Sequence, residues 1–557
     1  MSMHNRFLRI AALAAVVFVL AGLSSGTGEA PIGYLDGLDG FGRPVTVESP
    51  KAQRHFDQGL TLYFGFHHDE AITSFQQAYA IEPAFAMAYW GEAMACGPNY
   101  NIPFMDEPTA KEAYDAAQKA ASLATNVTPV ERALIQAAAV RYAWPPPKDR
   151  ASLDQAYADA MRKVWLQYPE DTDVGTLYAE SMMDLRPWDL WTKDGKPQPG
   201  TTEIVQVLEG VLRVTPKHPG ANHMLIHALE NAPDISGAVT AADRLRTLVP
   251  GIGHLLHMAS HVDIKQGLYK EAISANQRAV AADRQVTPER VPRHGYYTMY
   301  MAHDLHFIAY SAMFEGRREL ATKAANDLVA LLKPDMVRKL PDLLDGMRAI
   351  PIHVMVRFGE WDKLLAEPAP PDDLKASVAF WHYGRTVAYS ALGKVDEARR
   401  EFAALKQAAA EVPPTRRVHN NTVATLLDIA LPMAEGELEY RQGNYDGAFE
   451  LLREAVRRDD TLKYDEPWGW MQPVRHALGA LLVEQNRIAE AKVVYEEDLK
   501  RHPGNGWALL GLFQAEKMAG ETKAAELTEA LYRTAFADSD IRTGASCYCA
   551  KRLAGST

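Results

Sequence analysis

The sequence predicts an all-α fold of stacked helix pairs. Three observations predict it. Strands are hard to find beyond about Gln53, Ala-rich stretches carry helical spacing, and Gly, Asn or Pro interrupts them at short intervals. One frame then recurs at about 34 residues. Gly59, Ala71, Phe75, Ala78 and Pro83 form one copy, and Gly479, Leu482, Ala491, Tyr495 and Pro503 repeat the frame 420 residues later. Gly436, Ala448 and Ala455 give a third copy, and Trp507, Leu510 and Gly511 begin a fourth.

These offsets resemble the tetratricopeptide repeat (TPR). The resemblance implies small residues where helices A and B pack closely, an aromatic on helix B and a Pro that ends it. Gly267, Gly316, Gly359, Gly393 and Gly443 mark the tight turns of further copies, where glycine takes positive φ cheaply. The expectation is a TPR-like solenoid with an irregular helical insertion and decorated loops.

The chain divides in order as follows. Residues 1–30 read as a secretory signal: Arg6 and Arg9, an apolar run from Ile10 to Leu23, then small residues and a cleavage site after Gly28-Glu29-Ala30. An uncleaved anchor is the alternative, against which the shortness of the run argues. The expected location is the bacterial periplasm or the medium, with no membrane contact after cleavage. Residues 31–51 form an extension and 52–96 the first repeats. Residues 97–216 form an irregular insertion, with loops at Trp144-Pro145-Pro146-Pro147 and 186–202. Residues 217–366 are His-rich repeats, 367–535 the last repeats and 536–557 a tail.

Composition narrows the function. The chain has 557 residues, 71 acidic against 59 basic side chains and a net charge of −12, which argues against a dedicated nucleic-acid binder. Three cysteines without CxxC exclude a disulfide scaffold, a Cys-zinc site and covalent haem. Cys547 and Cys549 stand too close for an easy bridge. No Gly-rich phosphate loop, GxSxG or HExxH occurs.

The histidines supply the candidate chemistry. With the turn Gly at position 15 and the helix-B Ala at position 20, His254, His257 and His261 fall at positions 2, 5 and 9. His303 and His306 take positions 2 and 5 of the next copy, and His353 position 9 of the one after. Aligning Ala238 to position 20 puts His223 and His227 at 5 and 9, and Glu230 at 12. Positions 2, 5 and 9 form one stripe on a helix. Four copies offer twelve such positions and eight hold His, where 18 His in 557 residues predict fewer than one.

Pairs at i,i+3 and i,i+4 let two imidazoles of one helix reach one ion. Eight are too many for one ion, so two or more metals, or a metal with catalytic His, would use them. Glu230 and Asp304 are the nearby carboxylates, either as ligands or as groups that orient a His. In the TPR family this stripe faces the concave groove where ligands bind. His257-Met258-Ala259-Ser260-His261, followed by Gly267, Tyr269, Ala272, Ile273 and Asn276, is similar to a pattern in bacterial TPR proteins of unassigned activity. Ordinary adaptor grooves of that family are lined by Asn, Lys, Arg and Tyr, a departure that bears on function.

The remaining features have plainer readings. His55, His67 and His68 read as surface residues, and His382 and His476 as structural. Trp188, Trp191, Trp468 and Trp470 read as packing anchors. His294 with Tyr296, Tyr297 and Tyr300 either lines the groove mouth or covers it.

Two functions follow. In the first, the His stripe binds copper, iron or zinc, as an oxidase acting on a small molecule or peptide, as a zinc hydrolase, or for metal storage. In the second, a non-catalytic adaptor binds a protein or peptide partner and its histidines tune affinity near pH 6.5.

Overall fold

The computed structural model describes residues 33–38, 40–285 and 296–550, so the expected signal and His294 lie outside the described residues. Within them the fold is all-α and TPR-like. One departure from pure helix is a small hairpin, Arg417–Val418 (β1) against Asn421–Thr422 (β2). Among the described residues, no helix is long and apolar enough to cross a membrane.

The chain forms two compact units. The first runs to Val262 and includes Arg278–Tyr300; the second comprises Asp263–Gln277 and everything from Met301. In the first unit, α1 (Pro50–Phe64), α2 (His68–Ile81), α3 (Ala86–Cys96), α4 (Glu107–Leu123) and α5 (Pro129–Ala139) pack each on the next. The series continues through α6 (Ala151–Gln167), α7 (Thr172–Met183), α8 (Thr201–Val214), α9 (Pro219–Leu229) and α10 (Ser236–Leu248) to α11 (Gly253–His257). Helices α12 (Ala259–Gln266), α13 (Tyr269–Asp283) and α14 (Tyr296–Phe314) each contain a change of unit.

Local sequence explains the starts of these helices. Ser49 caps α1 and Pro50 opens it, and Thr128 with Glu131 forms a capping box on α5.

The repeat frame has a physical basis in close packing. A Cβ on Gly59 (α1) would stand 2.8 Å from Phe75 Cε1, and one on Gly91 (α3) 2.4 Å from the same atom. The Phe75 ring on α2 therefore lies clasped between the two glycines. The second unit repeats the clasp: Cβ atoms on Gly479 and Gly511 would stand 2.4 and 2.1 Å from Tyr495 Cζ. In both cases 16 residues separate each glycine from the ring.

The second unit continues through α15 (Arg318–Leu331), α16 (Pro334–Lys339), α17 (Pro341–Leu344), α18 (Ile350–Phe358), α19 (Trp361–Ala366), α20 (Lys375–Ala391) and α21 (Val395–Glu411). After the hairpin come α22 (Val423–Arg441), α23 (Tyr445–Asp459), α24 (Val474–Glu484), α25 (Ile488–Arg501), α26 (Gly506–Met518) and α27 (Thr522–Ala535). All five expected turn glycines take positive φ, from 64° at Gly359 to 84° at Gly443.

Several expectations need correction. His55, His67 and His68 are buried rather than on the surface. His55 stacks on Tyr34, His68 on Tyr63, and His67 accepts a hydrogen bond from the Tyr297 hydroxyl at 2.8 Å. A turn in a stacked-helix protein is exposed only where nothing packs over it, and here aromatic rings do. Cys547 and Cys549 are joined by a disulfide, their Cα atoms 5.1 Å apart in a non-helical segment that lets both side chains turn to one side.

Candidate metal centre

The centre lies in the first unit and is built mainly on α9 and α11. The start of α9 is fixed by its cap. His218 Nδ1 accepts from the Ala221 N–H at 3.1 Å while its Nε2 donates to Asp173 at 3.0 Å, and Arg43 holds Asp173 from the other side at 2.7 Å. Pro219 follows as the first helical residue. Next, Gly220 admits the Phe64 ring, whose Cδ1 would lie 2.3 Å from a Cβ there. Helix α11 starts at Gly253, where a Cβ would stand 2.2 Å from Asp283 Oδ1. Only a residue without a side chain lets the His254 backbone come this close to α13.

These placements bring five stripe histidines together. His223, His227 and His254 each offer a ligand atom, all within 4.8 Å of one another, and so do His227, Glu230 and His261. His223 Nε2 and His254 Nε2 lie 3.1 Å apart, and His257 Nε2 and His261 Nε2 2.7 Å apart. All five imidazoles are buried, His223 and His257 fully.

Proton placement decides what this arrangement can do. His223 Nδ1 faces the Phe64 carbonyl at 2.7 Å. A carbonyl only accepts, so that nitrogen carries the proton and the Nε2 of the neutral ring is a bare lone pair. Glu230 closes α9 and its carboxylate receives two imidazoles, His261 Nδ1 at 2.8 Å and His227 Nδ1 at 3.2 Å. Both rings thereby turn Nε2 away from Glu230. His227 Nε2 is buried without a hydrogen-bond partner. At 2.8 Å, a hydrogen-bond separation, Glu230 is placed to orient these rings, and with His227 and His261 it also forms a group that could hold an ion.

Electrostatics act in the same direction. Burial holds the proton affinities of His223, His227 and His254 well below the ordinary imidazole range, and neighbouring imidazoles lower them further. The rings are thus neutral, as metal ligands must be. His227 Nε2 has no hydrogen-bond partner in this buried place, at a cost of about 1–3 kcal/mol for a lone pair left unsatisfied. A cation removes that cost. Two nitrogens on one tetrahedral ion at about 2.0–2.1 Å stand roughly 3.3 Å apart, close to the spacing of the His223–His254 pair.

An aromatic wall surrounds the cluster; the sequence points to Trp188 and Tyr300 but to neither Phe66 nor Tyr100. Phe66 packs its ring 4.5 Å from that of His223 and 5.8 Å from that of His254. It occupies position 15 of its repeat, the place of the turn glycine, and keeps the positive φ of 58°. Trp188, read as a packing anchor, has φ 59° and sets its edge against His227 at 5.6 Å, beside Tyr100. Bulky residues pay a backbone penalty at positive φ, and such strain concentrates at functional sites. Tyr300 stacks on His254 at 4.7 Å. The repeat frame offered a signal for Phe66, a ring where glycine was due; Tyr100 and Trp188 lie outside any helical period.

The other stripe residues fall in the second unit. His303 and His306 sit on α14 near His419, and His353 on α18 packs against Trp470 at 5.1 Å. His382 and His476 have structural partners, Glu401 at 2.8 Å and Asp498 at 2.9 Å.

Fold and centre together define a class: an all-α, TPR-like repeat protein with a buried cluster of imidazoles. No family model matches the chain, and no curated protein matches it either. Solved structures similar to it include the human IFIT1 dimer with PPP-AAAA, 14% identical over 88% of this chain and 92% of that one, with a TM-score of 0.32. Yeast Tom70 is 11% identical over 85% and 90%, with a TM-score of 0.28. The P58(IPK) TPR domain is 12% identical over 85% and 99%, with a TM-score of 0.22. Likenesses this distant carry no functional inference, and the fold stands on the chain's own helix pairs. The exclusion of nucleic acid stays an expectation from net charge.

Proposed function

We propose that the chain binds transition-metal ions through His223, His227, His254, His257 and His261, with Glu230 orienting two of the rings. The observation that carries this reading is the set of Nδ1 hydrogen bonds to Phe64 and Glu230, which direct bare Nε2 atoms into one buried place. Nitrogen donors suit copper, zinc and non-haem iron, and among divalent ions copper binds such a set most tightly. With its one carboxylate engaged by two Nδ1 atoms, the cluster lacks the several carboxylates of a bridged di-iron centre.

Five imidazoles shared between two ions leave each with an incomplete shell, which supports oxidation of a small molecule or peptide by metal-activated oxygen. Loading with Cu(II) tests this. Electron paramagnetic resonance should show hyperfine structure from several nitrogens, and oxygen uptake should depend on the bound copper. A copper signal from oxygen ligands alone would contradict the site. A metal-free protein that cannot be loaded would favour the adaptor reading, in which the same fold binds a protein or peptide.

We also propose export, on the composition of residues 1–30. Sequencing the N-terminus of the protein recovered from the periplasm should begin after Ala30. A cytoplasmic protein that retains Met1 would overturn it.

A further inference from the structure

We propose that the Cys547–Cys549 disulfide of the second unit is a thiol–disulfide exchange site that oxidises the dithiol of a partner molecule, with Glu437 as its proton donor. It is independent of the metal centre. The two sulfurs and a Glu437 carboxylate oxygen lie within 4.8 Å of one another. They line one cavity together with Val356, Trp361, Val387 and Met433. Cys549 is buried and Cys547 half-buried. An incoming thiolate therefore meets Cys547 first, and Cys549 is the sulfur that leaves.

Each step has a group placed for it. Glu437 is buried on α22, its Oε2 without a hydrogen-bond partner. Burial pushes its carboxyl up to about 7, against the pull of Arg441 3.9 Å away and with help from Glu484. The other ionisable groups on the cavity, Arg357 and His476, are hydrogen-bonded to each other at 2.7 Å. Near neutral pH Glu437 thus holds a proton beside the sulfurs. The Cys549 N–H donates to Cys547 Sγ at 3.1 Å and so stabilises a thiolate there. Bonds that involve no sulfur hold the segment. Arg357 Nη2 donates to the Ser546 carbonyl, Arg441 Nη2 to the Cys549 carbonyl, and Ser546 Oγ to the His476 carbonyl at 2.8 Å. Opening the bridge therefore leaves both thiols in place to close again.

In the exchange, the first thiol of the partner loses its proton to solvent and attacks Cys547 Sγ as a thiolate. The S–S bond breaks, and its electron pair goes to Cys549 Sγ, which takes the Glu437 proton. The second thiol returns a proton to Glu437 and attacks the partner's own sulfur in the mixed disulfide. Cys547 leaves as a thiolate and takes a proton from solvent. The partner ends as a disulfide, and the chain ends with two thiols.

The test is the rate at which dithiothreitol reduces the bridge in the full, folded chain. Alkylation and mass spectrometry of the peptide that carries Cys547 and Cys549 read it, so that Cys96 does not contribute. Oxidised glutathione under the same conditions sets the reference. Reduction should be at least tenfold faster than that of glutathione, with helical content unchanged. Glu437→Gln keeps the shape and should slow it at least tenfold at pH 6. The slowing should be smaller at pH 8, where the wild-type carboxyl has lost its proton as well. A bridge that opens only in urea, a rate no greater than that of oxidised glutathione, or a rate unaffected by Glu437→Gln at pH 6 would overturn the proposal.

Discussion

His223 and His254, 31 residues apart on α9 and α11, face each other Nε2 to Nε2 at 3.1 Å, while the Phe64 carbonyl accepts a hydrogen bond from Nδ1 on the far side of His223. The contact thus presents a lone pair to a neighbouring imidazole. His223→Ala removes a ligand and leaves the Phe64 carbonyl without its donor. Metal bound by the centre should fall, and competition titration against a chelator of known affinity measures it.

Glu230 is predicted to act through the rings it orients. Glu230→Gln keeps the shape and loses the anion that receives both Nδ1 protons. Metal affinity should drop about 10–100-fold with the helical content unchanged. A direct ligand would instead change the metal's spectrum at saturation, which electron paramagnetic resonance reads.

Phe66 gives a stability test of backbone strain. At φ 58° a Cβ is unfavourable, so Phe66→Gly should be more stable than Phe66→Ala by about 1 kcal/mol, although glycine fills less space. Urea unfolding of the two variants measures the difference. The reverse order would mean that the turn relaxes once the ring is gone.

The Phe75 clasp predicts a clash. Gly91→Ala would put a Cβ 2.4 Å from the ring and should cost about 1–3 kcal/mol, and Gly511→Ala the same against Tyr495. Thermal unfolding is the readout.

His67 predicts a pH dependence. Burial holds its imidazole down to about 3 in the folded chain, against 6.5 ordinarily. Below pH 6.5 the unfolded chain takes up this proton and the folded chain does not, so the His67 contribution falls with pH until about pH 3. His67→Gln removes that term. From pH 6.5 to pH 5 the wild type should lose about 2 kcal/mol relative to the variant. Parallel stability curves would contradict this.

Legibility in the sequence followed periodicity. The turn glycines and the Phe75 and Tyr495 packing rings repeat at fixed offsets, so one frame placed them, and helical spacing then put His223, His227, His254, His257 and His261 on one stripe. What carries no period stayed hidden. Tyr100 and Trp188 lie in loops, and only the folded chain brings them to the imidazoles. His303, His306 and His353 share the stripe in sequence but belong to the second unit, because spacing fixes a face of a helix and says nothing of which unit buries it.

Metal content by elemental analysis, on the untagged full chain and on His257→Ala/His261→Ala, tests the central claim most directly. At least one equivalent of copper, iron or zinc in the full chain, lowered in the double variant with its helical content retained, is the predicted result. Metal content unchanged by the substitutions, or a full chain that holds no metal after loading, would contradict it.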